Sequence, residues 1–202
     1  MIEWIQNFFS GAIPKLLLNA TLETLYMTFV STALAFILGL VLAIVLILTR
    51  RGGLCENRLV YAVLDVVINT LRSFPFIILL IVLFPLTKLL VGTSIGTTAA
   101  IVPLTIGSAP FIARLIESAL LEVDSGVIEA AKSFGASKTQ IIFRVMFVEA
   151  LPSIIGAITL TLIVIIGFTA MAGTVGGGGL GDVAIRYGFQ RFRPDIMAYT
   201  VV

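Results

Sequence analysis

Histidine is absent from this sequence, and cysteine occurs once, as Cys55. Without histidine there is no Ser-His or Cys-His pair to activate a nucleophile, and no metal cluster is expected. A single cysteine cannot build a disulfide framework, and Cys55 reads as an inert thiol near a membrane surface. Charge is scarce as well. Asp, Glu, Lys and Arg make up 12% of the 202 residues, against about 25% in soluble chains. The net charge of +2 says little about partners, because the charges fall between apolar runs, and no nucleic acid partner is expected. Hydrophobic residues reach 59% and mean hydropathy is +1.14. This composition belongs to a polytopic membrane protein, all-α, organised as one transmembrane domain over residues 1–202.

The runs fix an order of segments. Ile2, Ile5, Phe8, Phe9, Ala12 and Ile13 recur at helical spacing, which suggests an interfacial helix over 2–13 with Trp4 as anchor and Pro14 as its end. Glu3 stands where a cleavable signal would carry basic residues, so no such signal is expected. A first span covers about 22–49, and Arg50, Arg51 and Arg58 follow it. Three arginines in one short loop place that loop in the cytoplasm and the N-terminus outside. Residues 59–86 form a span broken at Arg72–Pro75. A third span covers about 95–115, with Pro103 and Pro110 inside it as kink sites. A polar cytoplasmic segment follows at 117–149, then a span at 150–171 and the start of another at 195–202. The stretch "MAGTVGGGGLGD" (Met171–Asp182) is expected to be a flexible outer loop. Its Gly176, Gly178 and Gly181 formally match G-x-G-x-x-G, but a span rather than a strand precedes them, so no nucleotide site follows.

The polar segment contains "EAAKSFGAS" (Glu129–Ser137). Asp124, Ser125 and Gly126 offer cap groups for a short helix over 127–134. Glu129 lies in its first turn, with Lys132 three residues on as a partner. Gly135 supplies a helix stop that tolerates positive φ. Ser137 and Gln140 have capping-box spacing for a second helix running to about Glu149. These signals specify two helices around a glycine elbow. A passive connection needs only a few residues, yet this one is long and presents Ala130 and Ala131 as a smooth face.

On these residues the chain resembles the binding-protein-dependent ABC importer permeases, whose EAA loop is a coupling helix seated in a cleft of a cytoplasmic ATPase. The stretches "TLETLYMTFVST" (Thr21–Thr32), "RSFPFIILL" (Arg72–Leu80), Val91–Val123 and Gly173–Phe192 look like the methionine branch of that family. The resemblance implies a type I importer bundle of five spans, the fifth incomplete here. It implies a permease homodimer, two ATPase subunits that bind the ATP and magnesium, an external substrate-binding lipoprotein, and the bacterial inner membrane. It implies no cofactor in this chain and no catalytic residue. ATPase docking would fall to Glu129, Ala130, Ala131, Ser133, Gly135 and Ala136. One departure concerns Phe147 and Val148, which stand where the family usually has Leu-Pro. Leu151–Pro152 follows instead, so the helix after the elbow is expected to run on.

Asp65, Asn69 and Arg72 are spaced i, i+4, i+7 and form one polar stripe. Intramembrane ionisable groups face a bundle interior or a watery path, so the stripe reads as path lining or as the permease–permease interface. The alternative is that Arg72 snorkels to one surface and Asp65 to the other. Ser108 and Met171 are further candidates for the path. Thr105, Thr159, Thr161 and Thr169 are mild polar points expected to bond their own helices. The function expected is an ATP-driven methionine importer permease. The alternatives are the same machine with another amino acid or small solute, or an ATP-independent secondary transporter. Internal inverted repeats would favour the last, and none is evident.

Overall fold

The computed structural model describes residues 12–201 and, among them, is built of helices. The expected interfacial helix and Trp4 lie outside the described residues, apart from its last two positions. Those two, Ala12 and Ile13, open the long helix α1 (Ala12–Thr49), so Pro14 sits in a first turn rather than ending a helix. A first turn has no intrahelical use for the missing N–H, which makes proline harmless there. Next come α2 (Arg58–Ser73), α3 (Phe76–Val82), α4 (Phe84–Val91) and α5 (Thr97–Leu121). The elbow region holds α6 (Ser125–Ser133), α7 (Lys138–Gln140), a π-helical stretch Ile141–Met146 and α8 (Phe147–Glu149). The chain finishes with α9 (Leu151–Thr174), α10 (Gly179–Val183), a second π-helical stretch Ala184–Phe189 and α11 (Pro194–Val201).

Among the described residues three helices are long and apolar enough to cross a membrane. They are α1, α5 and the one that begins at Leu151. A fourth crossing results if α2 and α3 are the two halves of one broken span. The break has a local cause. Pro75 disfavours helical dihedrals in the residue before it, and Phe74 is extended at φ −72° and ψ 133°. By contrast, Pro103 and Pro110 lie within α5 without ending it.

The helices divide into two compact units. One contains residues up to Ser31, Pro75–Thr105 and Ile163–Val202. Its core joins Met27, Phe76, Leu80, Ala100, Leu104, Ile165 and Ala172, with the Phe76 and Phe168 rings stacked at 4.2 Å. Within this unit the glycine-rich stretch is not the flexible loop expected. Gly179 N–H donates to Glu23 Oε2 at 2.7 Å and Leu180 N–H to Thr24 Oγ1 at 2.9 Å. Gly96 N–H donates to the Gly176 carbonyl at 3.0 Å. Gly181 lies so close to α9 that an added Cβ would strike the Ala170 backbone. The glycines serve close approach here, not mobility.

The other unit contains Thr32–Phe74 and Ile106–Leu162. Ala35, Ala43, Ile47, Ile112, Ile116, Leu120, Ile141, Ile142 and Met146 are among its buried residues. Leu46, Ile68 and Ala113 form a smaller cluster. Gly39 permits the contact of α1 with α5, since a Cβ there would meet Ile112 Cγ2 at 2.5 Å.

Candidate coupling elbow and polar network

The elbow is built locally as its residues dictate. Asp124 caps α6, its Oδ1 accepting from Gly126 N–H at 2.6 Å. Helix α6 starts at Ser125 rather than Val127, so Glu129 lies beyond its first turn; it ends at Ser133, and Gly135 turns the chain at φ +77°. The capping box at the head of α7 is formed. Ser137 Oγ accepts from Gln140 N–H at 3.3 Å and Gln140 Oε1 from Ser137 N–H at 2.8 Å. Beyond it, Ile141–Met146 relaxes to π-helical bonding, which no sequence signal announced. Helical bonding then continues through Ala150, whose N–H donates to Met146 and whose carbonyl accepts from Ile154, both at 2.9 Å.

The candidate docking residues separate into two faces. Ala131 and Ala136, with Ile128, pack against the buried cluster of their unit. Glu129, Ala130, Ser133 and Gly135 are exposed, Glu129 at the edge of the cavity beneath the elbow. Ser133 Oγ–H donates to the Glu129 carbonyl at 3.0 Å, a bond within the helix. Glu129 and Lys132 form no ion pair among the described residues; two solvated side chains gain too little from one to hold it. Phe134 is 91% exposed. Sequence reasoning passed over it, although an aromatic between a polar helix and a glycine turn has no core position to occupy. A bare ring on a helical elbow is the kind of anchor that a partner cleft covers. Beneath the elbow lies a cavity of about 300 Å³, lined by Arg50, Glu129, Lys132, Leu120, Ile142 and Met146 among others.

The polar stripe of α2 has partners that the spacing could not show. Arg114 on α5 forms an ion pair with Asp65, and its Nη2 lies 3.4 Å from Asn69 Oδ1. Arg114 Nη1 donates to Glu117 Oε2 at 2.7 Å, and Tyr61 Oη donates to Glu117 Oε1 at 3.3 Å. Glu117, expected to open the polar loop, is instead on α5 with its side chain 3% exposed. Burying a carboxylate is costly unless it is paired and hydrogen-bonded, and Arg114 and Tyr61 supply those contacts. Arg72 stands outside the network, exposed in the last turn of α2. Ser108 is fully buried, its Oγ without a partner among the described residues. Met171 is 45% exposed. Thr159, Thr161 and Thr169 donate to carbonyls of their own helix at 2.7–3.0 Å, whereas the buried Thr105 Oγ1, expected to do the same, has no partner among the described residues.

In the Arg50–Asn57 turn, Glu56 Oε2 accepts from Gly52 N–H and Oε1 from Arg58 Nε, both at 3.0 Å. The Gly52 hydrogen bond first, and Arg58 second, hold the Glu56 carboxyl below the usual carboxylate range.

Residues 37–202 match the family of binding-protein-dependent transport system inner membrane components. The chain belongs to this family. Within it, a probable D-methionine transport system permease of Vibrio cholerae is 57% identical over 187 residues, covering 93% of this chain and 83% of that one. A methionine import system permease of Bacillus subtilis is 52% identical over 191 residues, covering 95% and 86%. The structure is similar to a chain of the inward-facing MetNI methionine ABC transporter. That match has a TM-score of 0.93 at 45% identity and covers 95% of this chain and 89% of the other. An amino acid ABC transporter shares the fold at a TM-score of 0.74 and 22% identity, covering 93% and 87%. As a member of the family, the chain is a multi-pass membrane protein with an all-helical permease fold.

Proposed function

We propose that this family member is the membrane-spanning subunit of an ATP-driven importer of methionine. It works as a homodimer with two ATPase subunits and an external substrate-binding lipoprotein. Its N-terminus faces outward and the Arg50–Arg58 turn and elbow face the cytoplasm, which the three arginines support. The observation that carries the reading is the elbow. Its outer face, with Glu129, Ala130, Ser133, Gly135 and Phe134, is free to enter a cleft. Its inner face, Ile128, Ala131 and Ala136, is packed into the core that includes α5 and the residues after Gln140. A push on the outer face is therefore delivered to packed side chains, which shift between discrete arrangements rather than yielding.

The mechanism that fits is alternating access. Closure of the ATP-loaded ATPase pair draws on the two elbows, and the permease halves change from inward-open to outward-open. The ATP and magnesium sit in the partner; this chain supplies the path and the lever, and no catalytic group. Asp65 and Asn69, held by Arg114, give the exposed face of α2 a polar stripe for the path or the two-fold interface.

The test is reconstitution of the permease with its ATPase and lipoprotein in liposomes, followed by labelled methionine uptake. Uptake driven by ATP, and abolished when a catalytically dead ATPase is substituted, is the expected result. Uptake driven by an ion gradient without the ATPase would overturn it in favour of a secondary transporter. ATP-driven uptake of a different solute, with methionine ignored, would keep the machine and replace the cargo.

A further inference from the structure

Three helix ends of one compact unit converge on an open recess of about 460 Å³, lined by Arg50, Arg51, Arg58, Tyr61 and Leu121. Arg50 and Arg51 follow the last residue of α1, Arg58 opens α2, and Leu121 closes α5. Helices α1 and α5 are both long and apolar enough to cross a membrane, and their spans end at Thr49 and Leu121. The recess therefore lies where two candidate membrane-spanning helices end.

Its charge is unbalanced. Arg50 and Arg51 have no carboxylate within ion-pair distance among the described residues. Arg58 gives its Nε to Glu56 Oε1 at 3.0 Å, but its side chain remains 74% exposed, and among the described residues neither Nη has a partner. The capped start of α2, where Asn57 Oδ1 accepts from Val60 N–H at 3.1 Å, adds the positive end of a 16-residue helix. A bias that only fixes topology needs arginines anywhere in the loop. Here arginines from both ends of the loop face one recess, the arrangement that clamps a phosphate from several sides.

The neighbouring surface says which kind of anion fits. Directly after Arg58, α2 exposes Leu59 at 75%, Val63 at 54% and Val66 at 63%. Their i, i+4, i+7 spacing makes one apolar stripe along the outward face of α2, roughly 100° around the helix from Arg58. A soluble anion leaves that stripe uncovered. We propose that this recess binds the headgroup of an anionic phospholipid, with its phosphate among Arg50, Arg51 and Arg58 and its acyl chains along Leu59, Val63 and Val66.

The experiment uses the intact transporter, permease with its ATPase subunits. It is incubated with equimolar phosphatidylglycerol and phosphatidylcholine, and retained lipid is read by native mass spectrometry. Wild type is expected to retain phosphatidylglycerol in preference. The Arg50→Gln/Arg51→Gln double variant should lose affinity roughly fivefold per arginine removed, whereas Arg50→Lys/Arg51→Lys keeps most of it. Inorganic phosphate and glycerol phosphate should not displace the lipid. Unchanged retention by the glutamine variant would overturn the proposal. So would displacement by inorganic phosphate, which marks a soluble-anion site. So would loss of the ATPase subunits with lipid retention intact, which marks a protein contact. If the double variant does not assemble, Arg51→Gln alone and a salt titration of wild type serve instead. Lipid retention indifferent to both would be equally decisive against the site.

Discussion

At the scale of single residues, Arg114 is the one on which most depends. It reaches Asp65 and Asn69 on one helix and Glu117 on its own. Removing one member of a buried pair leaves the other charge dry and unpaired, at a cost of about 3–5 kcal/mol. Arg114→Ala should therefore lower stability by about 3 kcal/mol, read as a fall in the thermal midpoint of the detergent-solubilised protein. Adding Glu117→Gln should recover part of that loss, because the neutral amide no longer needs the guanidinium. Equal losses in the single and double variants would show that Glu117 is not what Arg114 neutralises. The stripe itself was legible, since Asp65 and Asn69 share a helix face by spacing alone. Its partner was not. Arg114 lies 49 positions from Asp65, near the end of the span over 95–115, and spacing along the chain does not join the two. Phe134 was legible in principle, but the motif around it drew attention to the small residues instead.

At the scale of elements, the elbow was the most legible feature. Asp124, Gly135, Ser137 and Gln140 act through neighbours no more than three residues away, so their spacing carries the geometry. Gly135 gives the sharpest test. At φ +77° with nothing within 4 Å of an added Cβ, a larger residue meets no neighbour, only backbone strain. A non-glycine residue in this region costs about 1–2 kcal/mol. Gly135→Val is expected to reduce ATP-coupled uptake by about tenfold, the factor matching such a distortion. Permease abundance and copurification with the ATPase should persist. Normal uptake in that variant would remove the elbow from the mechanism. The π-helical stretches escaped notice because an i to i+5 bond leaves no residue signature; tertiary packing selects it. The glycine-rich stretch was misread for the same reason. Glycine permits both mobility and close contact, and groups distant in the chain decide between them, the carboxylate of Glu23, 156 positions away, among them.

For the whole molecule, the surface is the telling feature. Phe29, Ile37, Val66 and Ile163 are each more than half exposed, a load of bare hydrocarbon that water does not tolerate over such an area. Lipid and a second copy of the chain must share it. The stripe on α2 offers a way to tell the two apart. In a Cys55→Ser background, Asn69→Cys should either crosslink between subunits or react with a membrane-impermeant thiol reagent applied to inside-out vesicles. A cysteine there that does neither would put the stripe against lipid and withdraw it from both path and interface.

Composition alone determined that this is a helical membrane protein, because scarce charge and long apolar runs leave a chain no other stable solvent. Short-range spacing determined the elbow, its caps and the polar face of α2, because those interactions close within one or two helical turns. The tertiary structure decided the rest. It decided that Arg114 balances Asp65 and Glu117, that the glycines are clamped to α1, and that arginines from two helix ends share one recess. Each of these depends on groups brought together from distant positions, and the pattern of apolar residues that gathers them does not record which polar atoms will meet.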